Sequence, residues 1–339
     1  MHFHRNLIVK GLPSPDGGTQ QFRLLQLNTL AHWACDGETD EEYEQRTVLH
    51  LQHIEALRPS IVVLEEVDGP LTAPPTVPTL PQRLINSGIY NGVSAGKNNE
   101  KGDETWVLYR NDAAAVSTSL KNDEKEGAIS HFTVIRFDDG TSSQFAICVK
   151  LRVTAIDTDV IVVGHHAKAG RTEENETTRI CHSTELWRRL CALYAQDDAF
   201  LKGRLLLCGD FNAGPHSYEG KYPASWYPSI VEGLWGAEGG LVSAQRSLVG
   251  AEGEAQSVTT FKLRKGAWIE QCIDYVFHNP SGLAACGGLQ LPCQLTAAKG
   301  VEEVNAAPTP HALLPQEGLP KVGLWGSDHL SIAFDFRKS

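Results

Sequence analysis

The sequence contains no uninterrupted apolar run of about 18 residues, the length at which a segment becomes a candidate to span a bilayer. Its first residues, MHFHRN, also lack the basic-then-apolar layout of a secretory signal peptide. The composition, with 41% hydrophobic and 21% charged residues, is that of an ordinary globular protein. We therefore expect a cytoplasmic protein with no membrane partner.

Cysteine pairs at metal-binding spacing are missing. None of the eight cysteines forms a Cys-x-x-Cys pair or a tight cluster with histidine, which argues against a structural zinc site. Several cysteines lie in apolar runs, as Cys148 does, where a thiol behaves as a small hydrophobe. Since no secretion signal is visible, we expect these thiols to be reduced.

A surplus of positive charge is missing as well. The chain has 30 Lys and Arg against 41 Asp and Glu, and its formal net charge is −11. This balance argues against a protein that holds long nucleic acid through its overall electrostatic field. It does not exclude a nuclease whose local site is neutralised by a cation and a few basic side chains.

Apolar strand-like runs alternate with two amphipathic helices. Residues 40–57 predict a helix with acidic residues in its first turn that ends before Pro59, and residues 173–194 predict a second helix. The expected buried side of the first helix carries Val48, Leu51, Ile54 and Leu57. Strands are predicted over 22–27, 61–64, 105–110, 131–137, 145–153, 160–164, 205–208, 273–277 and 330–336. Many strands, several of them arranged as hairpins, with few helices predict an α/β sandwich with mixed sheets.

Two stretches have no regular apolar period and are predicted loops. Residues 69–82 contain five prolines, and residues 295–323 are rich in Ala, Pro and Gly. Both adjoin the candidate site described below, so they are either lids or substrate guides, or tolerated surface insertions. No internal repeat and no interdomain linker is visible, which predicts a single domain over residues 1–339.

Polar residues follow the ends of the apolar strands. A buried strand that ends in a carboxylate, an amide or a histidine is costly unless these groups share a metal or a substrate. Carboxylate and amide oxygens are ligands for Mg²⁺, and histidine can stabilise a phosphoryl oxygen. The pattern therefore predicts one site of a phosphate-ester hydrolase. Its residues are Asn28, Glu66, His166, Asp210, Asn212, Asp274, Asp328 and His329.

Taken singly, most of these residues have a structural interpretation. Asn28 and Asp210 could be turn residues, with Asp210 bonded to its own backbone. Glu66 could be a solvated loop acid, as its neighbour Glu65 is expected to be. His165 and His166 point to opposite faces if their strand continues, so at most one of them belongs to the site.

The order of these motifs resembles that of the endonuclease/exonuclease/phosphatase superfamily, over nearly the whole chain. Within it, the chain resembles the deadenylase-like branch that contains nocturnin, Angel and the Ccr4-type poly(A) nucleases. The residues that carry this resemblance are LEEVD at 64–68, HAKA at 166–169, VTTFKLR at 258–264 and SDHLS at 327–331. The resemblance implies a four-layer α/β sandwich, with two mixed β-sheets flanked by helices.

The resemblance also implies a cation site. Glu66 would hold Mg²⁺, with Mn²⁺ as the alternative cation, and Asn28 and Asp328 would assist. A Mg²⁺ site with so few carboxylates would keep several waters and bind the ion largely through substrate.

The remaining site residues are implied to act on the phosphate. Asp210 would orient or deprotonate the attacking water, and Asn212 would contact the scissile phosphate. His329, oriented by Asp274, would stabilise the charged phosphoryl oxygens, and His166 would be a further phosphate contact. Such an arrangement suits in-line displacement, in which positioning and charge neutralisation do most of the work.

The implied substrate is the 3′ end of RNA, cleaved to nucleoside 5′-monophosphates. The implied substrate-binding residues are Lys97, Lys168, Arg171, Asn212 and Lys262. The alternative is a nucleotide or dinucleotide phosphatase that removes the 2′-phosphate of NADP(H). For that activity Lys168 matches the branch, but Gly170 occupies the place of a second basic residue and Arg171 is displaced by one.

Three departures from the branch bear on substrate choice. Glu65 replaces the usual Gln and is expected to add a negative charge beside the site, and Gly326 replaces a Pro. Residues 103–106 read DETW where relatives carry Asp-Gly-Cys-Ala, in a region that helps to receive the 3′-terminal base, so no adenine preference is implied. Outside catalysis, the alternative is a silent member that binds RNA or a protein, although every expected catalytic position is filled.

Overall fold

A computed structural model describes residues 20–35, 37–69, 72–74, 76–96, 102–117, 132–137, 143–215, 225–255, 257–264, 267–291, 320 and 325–339. In chain order the strands are β1 (Gln21–Asn28), β2 (Ile61–Val67), β3 (Tyr90–Gly96), β4 (Glu104–Arg110), β5 (Ala114–Val116), β6 (Phe132–Arg136), β7 (Phe145–Val153), β8 (Thr158–His165), β9 (Leu205–Asp210), β10 (Val242–Ser243), β11 (Thr260–Arg264), β12 (Ala267–Gln271), β13 (Asp274–His278), β14 (Leu283–Leu291) and β15 (Ser331–Lys338). The helices are α1 (Asp40–Leu57), α2 (Leu80–Asn86), α3 (Glu173–Leu193), α4 (Asp198–Leu201) and α5 (Ala244–Ala255), with a π-helical segment at Tyr227–Glu238.

The strands form two mixed sheets and a small hairpin. Among the described residues, the first sheet has the order β14-β15-β1-β2-β4-β3, in which β1 and β2 are parallel and the other neighbouring strands are antiparallel. The second has the order β10-β13-β9-β8-β7-β5, with β6 also paired to β7; β8 and β9 are parallel, and the other described pairs are antiparallel. Strands β11 and β12 pair with each other. Each sheet thus places the carboxyl ends of two parallel strands side by side.

The two sheets and the helices on their outer faces form four layers, because the strands are buried on both faces. In β2, Ile61 and Val63 face the second sheet, whereas Val62 and Leu64 face the outer helices. Because side chains alternate along a strand, a continuous apolar run is what a strand buried on both faces requires. Helices α1 and α2 cover the outer face of the first sheet, and α3 with the π-helical segment covers that of the second. The predicted four-layer α/β sandwich is confirmed.

The first predicted helix is confirmed with the expected bounds. Thr39 caps α1 by accepting a hydrogen bond from the Glu42 backbone, and Arg58 ends it in the left-handed conformation before Pro59. The second predicted helix is confirmed as α3.

The buried side of α1 differs from the expected one. Ile54 and Leu57 are fully buried, but so is a row of polar residues made of Arg46, His50 and His53. Hydrophobic periodicity cannot detect this row, because its members are polar residues: Arg46 bonds backbone oxygens, and His50 and His53 lie edge-on to Trp325.

The predicted loop over 69–82 is wrong at its end, because α2 begins at Leu80. Pro81 does not prevent this helix, since proline is tolerated in the first turn, where its missing N–H would have no partner within the helix. The predicted loop over 295–323 lies outside the described residues except for position 320. No helix in the described ranges is long and apolar enough to cross a membrane.

Candidate active site

Asp210 lies at the centre of the predicted site. It is the last residue of β9 and is 1% exposed. Asn28 donates from Nδ2 to its Oδ2 at 3.1 Å, and the Nε2 atoms of His166 and His329 each lie 3.7 Å from the same oxygen. The backbone N–H of Asn212 donates to the other oxygen at 2.8 Å. The fold therefore brings together five residues from four separate segments.

Glu66 reaches this cluster because β2 is irregular there. The register between β2 and β4 shifts between Leu64 and Val67, and Glu66 has a φ of 50°, which is uncommon for a residue with a side chain. Its Oε1 accepts a hydrogen bond from Asn28 Nδ2 at 3.0 Å and lies 3.6 Å from His166 Nε2. The irregularity turns the Glu66 carboxylate toward Asp210 and leaves its side chain 18% exposed.

The donor set fits a divalent cation. One oxygen of Glu66, one of Asp210 and a ring nitrogen of His166 all lie within 4.8 Å of one another, and Asp210, Asp274 and His329 form a second such group. Carboxylate oxygens suit both Mg²⁺ and Mn²⁺, whereas an imidazole nitrogen is a better ligand for a metal such as Zn²⁺ or Fe²⁺. The partial exposure of Glu66 leaves room for water ligands.

Asn28 and Asp328 are placed beside the cluster in different ways. The Oδ1 of Asn28 accepts the N–H of Leu30 at 3.0 Å, so its amide nitrogen faces the two carboxylates. The carboxylate of Asp328 accepts a hydrogen bond from Lys262 and lies 3.8 Å from His329 Nε2. Their roles as cation ligands stay predictions.

His329 is held in one orientation by Asp274. Its Nδ1 donates to Asp274 Oδ2 at 2.9 Å, which points Nε2 toward Asp210 and Asp328. Burial alone would lower the pKa of His329, but the carboxylates of Asp274, Asp210 and Asp328 raise it to about 10. At neutral pH the imidazolium can therefore donate a hydrogen bond from Nε2 to an anionic oxygen.

The environment of Asp210 favours the neutral carboxyl group, whereas that of His329 favours the charged imidazolium. Burial raises its pKa to about 7, the charge of Asp274 adds to this rise, and His329 opposes it. A carboxyl group whose pKa lies near the working pH is suited to accept a proton from water.

The 258–264 motif supports two of the site carboxylates. Thr259 Oγ1 accepts the backbone N–H groups of Ile273 and Asp274 at 2.9 and 3.0 Å. Thr260 Oγ1 donates to the backbone oxygen of Asp328 at 3.0 Å. The part of the motif that contacts the site thus fixes the segments that carry Asp274 and Asp328.

Sequence reasoning missed the support that α1 provides. Arg46 donates from Nη1 to the backbone oxygens of Thr29, Leu30 and Gly326, each at 2.9 Å, and its guanidinium also pairs with Glu38. These bonds join the segment after Asn28 to the segment before Asp328. No motif or period in the sequence indicates this role.

The expected divergence of the two neighbouring histidines is confirmed. His165 is fully buried on the opposite side, where its Nδ1 contacts the oxygen of Phe145 at 2.9 Å and its ring lies edge-on to Phe137. His166 faces the cluster.

The expectation that Glu65 is a solvated acid is wrong. Strand β2 continues through Glu65, which lies opposite Asn28 in the parallel register, and its side chain is fully buried. Its Oε2 accepts a hydrogen bond from Gln26 Nε2 at 2.8 Å. Burial raises the pKa of Glu65 well above its usual range, so its surroundings oppose the negative charge that the sequence leads us to expect.

The structure describes four of the five predicted substrate-binding residues, and each of the four has different surroundings. Lys168 is half-buried and follows Ala167, whose oxygen accepts a hydrogen bond from Asn212 Nδ2 at 3.2 Å. Arg171 donates to Gln271 Oε1 at 3.3 Å. Lys262 is paired with Asp328, as described above. Lys97 lies outside the described residues.

Comparisons with known proteins agree with this geometry. The model of the Endonuclease/Exonuclease/phosphatase family matches residues 41–329. The human Nocturnin catalytic domain, solved with a bound sulfate anion, is similar with 21% identity and a TM-score of 0.64, over 98% of this chain and 97% of that one. A family member from Bacteroides vulgatus is similar with 14% identity and a TM-score of 0.59, over 94% of this chain and 99% of that one. TDP2 from D. rerio, complexed with single strand DNA product, is similar with 10% identity and a TM-score of 0.58, over 94% and 99% of the two chains. No curated protein sequence matches. At these identities the solved structures establish the fold.

Proposed function

Because the chain belongs to the endonuclease/exonuclease/phosphatase family, whose members hydrolyse phosphoric esters, we propose that it is a Mg²⁺-dependent 3′→5′ exoribonuclease that releases nucleoside 5′-monophosphates. The observation that carries the proposal is the convergence of Glu66, Asp210 and the His329–Asp274 pair on one point. The likeness of the 258–264 and 327–331 motifs to the deadenylase-like branch supports RNA as the substrate.

In the proposed reaction, Glu66 would hold the cation with assistance from Asp328, and Asn28 would orient the carboxylates of Glu66 and Asp210 through its amide nitrogen. When bound, the cation neutralises charge on the phosphate and polarises its oxygens. Asp210 orients the attacking water and accepts its proton, since its raised pKa makes it a competent base near neutral pH.

The other side chains act on the phosphate directly. The imidazolium of His329 donates from Nε2 to the phosphoryl oxygens as their charge grows, and Asp274 keeps the ring in the required orientation. His166 and Asn212 flank Asp210 and contact the scissile phosphate. Because His329 and Asp274 are buried and bonded to each other before substrate arrives, they need little reorganisation during the reaction.

One observation favours a second candidate, a nucleotide or dinucleotide (NADP(H) 2′-) phosphatase. Lys168 is half-buried two residues after His166, where a compact positive charge would suit a terminal phosphate. Against it, Gly170 supplies no charge and Arg171 is bonded to Gln271.

The test is to incubate the purified protein with 5′-labelled oligo(A), a mixed-sequence RNA and NADPH, each with Mg²⁺ and with a chelator. A ladder of shortened RNA that requires Mg²⁺ is the expected result, and the ratio of the two RNA rates reports base preference. Phosphate released from NADPH with both RNAs intact would replace the exonuclease by the phosphatase. The Asp210→Asn variant keeps the size of the side chain but removes the base, so it should lose about 10²–10⁴-fold of either activity.

A further inference from the structure

Gln26 is a fully buried polar residue that lies two positions before Asn28 on β1. Side chains alternate along a strand, so Leu24, Gln26 and Asn28 share the face that looks toward the second sheet. Leu24 belongs to the apolar core between the sheets, and Asn28 belongs to the candidate active site. Gln26 therefore lies at the boundary between the apolar core and the candidate active site.

The amide nitrogen of Gln26 joins two carboxyl groups. Its Nε2 donates to Glu65 Oε2 at 2.8 Å and to Asp274 Oδ1 at 3.1 Å. Both N–H bonds of the amide are thus used. Asp274 lies on β13, so the second of these bonds connects the first sheet to the second.

This bond completes the environment of the Asp274 carboxylate. Its Oδ2 accepts from His329 Nδ1 at 2.9 Å, and its Oδ1 accepts from Gln26. A carboxylate with a donor on each oxygen cannot rotate without losing one of the two bonds. The direction of the Asp274–His329 bond, and with it the position of His329 Nε2, depends on both donors.

We propose that Gln26 is a positioning residue that orients Asp274 and, through it, His329. The proposal rests on the proposed function, in that His329 is taken to stabilise the phosphoryl oxygens. Gln26 itself touches neither substrate nor cation, and Glu65 holds it in place by accepting its second N–H.

The chemistry of the position supports glutamine over an apolar residue. Within the described part of the chain, Oε1 of Gln26 has no hydrogen-bond partner although it is buried. A buried oxygen without a partner is destabilising, so an apolar side chain such as that of Leu24 would be preferable if filling space were the only requirement. A neutral group with two N–H donors is what the two neighbouring carboxyl groups require.

The experiment compares Gln26→Met with a matched control, Gln245→Met. Gln245 is equally buried at 2% exposure, and its Nε2 also bonds residue 274, but at the backbone oxygen, at a distance of 3.1 Å. Gln26→Met should lower kcat on RNA about 10–100-fold, as loss of a supporting hydrogen bond typically does. KM should stay within about twofold, because Gln26 contacts no substrate. Gln245→Met should leave kcat nearly unchanged, and an equal loss in both variants would overturn the proposal.

A double-mutant cycle separates positioning from a general structural role. In an Asp274→Ala background the carboxylate that Gln26 orients is gone, so adding Gln26→Met should change kcat by less than about twofold. If Gln26→Met lowers kcat as much in that background as in the wild type, Gln26 does not act through Asp274.

A second readout does not need turnover. The proton on Nδ1 of His329 can be observed by NMR and assigned by its loss in His329→Gln. In Gln26→Met this signal should shift or broaden, and in Gln245→Met it should stay in place. A wild-type protein that cleaves none of the substrates would refute the proposed function alone. An unchanged His329 signal in folded Gln26→Met would refute the positioning role alone.

Discussion

The two ionisable groups that face each other at the site predict how the rate depends on pH. Asp210 must be ionised to accept a proton, and its pKa is raised to about 7, whereas His329 must be protonated to donate, and its pKa is raised to about 10. The value of kcat/KM should therefore rise as pH increases toward neutrality and fall again under strongly alkaline conditions. A bound cation lowers the pKa of a nearby carboxyl, so more Mg²⁺ should shift the acid limb to lower pH.

The measurement is kcat/KM against pH at a low and a saturating Mg²⁺ concentration, with ionic strength held constant. A rate that decreases steadily through the neutral range would contradict the assignment of Asp210 as the base.

The raised pKa of Glu65 predicts that the free energy of unfolding depends on pH, and a glutamine at this position should remove that dependence. Burial raises its pKa in the folded protein above the value of about 4.3 expected in the unfolded chain. The folded state therefore binds the proton more tightly, and the free energy of unfolding falls as pH rises from the unfolded pKa through the folded one. Glu65→Gln keeps an oxygen that accepts the hydrogen bond from Gln26, and its side chain does not ionise, so its free energy of unfolding does not fall with pH for this reason. The free energy of unfolding of Glu65→Gln, relative to that of the wild type, should therefore be higher at pH about 8 than at pH about 5.

Urea unfolding at both pH values measures this difference. Glu65→Ala is the matched control, because it removes the acceptor of a buried N–H and should cost about 1–3 kcal/mol. A Glu65→Gln variant that loses as much stability as Glu65→Ala would show that the negative charge is needed.

At the residue scale, the sequence predicts which polar residues converge but not every direction in which they point. Asn28, Asp210 and Asp274 follow or begin apolar strands, and such positions meet at one edge of a sheet. The distinction between Glu65 and Glu66 depends on a local shift in the register between β2 and β4, which has no simple signature in a run of seven residues. Gln26 was missed because a polar residue inside an apolar strand was interpreted as part of the strand.

At the element scale, the polar row on α1 predicts that this helix positions the catalytic segments. Arg46 binds three backbone oxygens, one of them at Gly326, next to the Ser-Asp-His segment. Lysine has a positive charge but not the planar set of donors, so Arg46→Lys cannot satisfy the three oxygens and Glu38 together. We expect kcat to fall at least about tenfold with a smaller change in KM, since the altered segments carry Asn28 and Asp328.

The control for this substitution is Arg188→Lys on α3, where the arginine side chain is 66% exposed and pairs with Glu185. An exposed ion pair contributes little to stability, so this variant should behave as the wild type. Steady-state kinetics of both variants, with circular dichroism to confirm folding, decide the question. If the two variants have equal kinetics, α1 does not position the catalytic segments.

Elements with a strong apolar period were predictable, and those held by tertiary contacts were not. Strands β2, β7 and β9 follow directly from their apolar residues, and the bounds of α1 follow from its end signals. The hairpin of β11 and β12 and the short helix α2 were not predicted. Thr259 and Thr260, at the start of the hairpin, are fixed by bonds to residues distant in the sequence, which no local pattern records.

At the scale of the whole molecule, the site draws on both sheets. Asn28 and Glu66 come from the first sheet, and Asp210 and Asp274 come from the second. The two sheets share one apolar core, so we expect the single domain predicted over residues 1–339 to unfold in one cooperative transition. Thermal unfolding followed by tryptophan fluorescence and by far-UV circular dichroism should give the same midpoint, and two separate midpoints would contradict a single domain.

The same arrangement predicts that the cation stabilises the whole fold. Without a cation, the carboxyl groups of Glu66 and Asp210 lie close together where the two sheets meet. A cation that binds only the folded state raises its stability by about 2.7 kcal/mol at a concentration 100 times the Kd, so Mg²⁺ should raise Tm in proportion to the logarithm of its concentration.

In Glu66→Ala the Tm without Mg²⁺ should be no lower than that of the wild type, because a like charge is gone, while the rise with Mg²⁺ should be largely lost. Glu185→Ala on α3 controls for non-specific effects of Mg²⁺ on surface carboxylates and should keep the full rise. An equal rise in all three proteins would mean that Mg²⁺ stabilises the fold without Glu66, and Glu66 would then lose its assignment as the principal ligand.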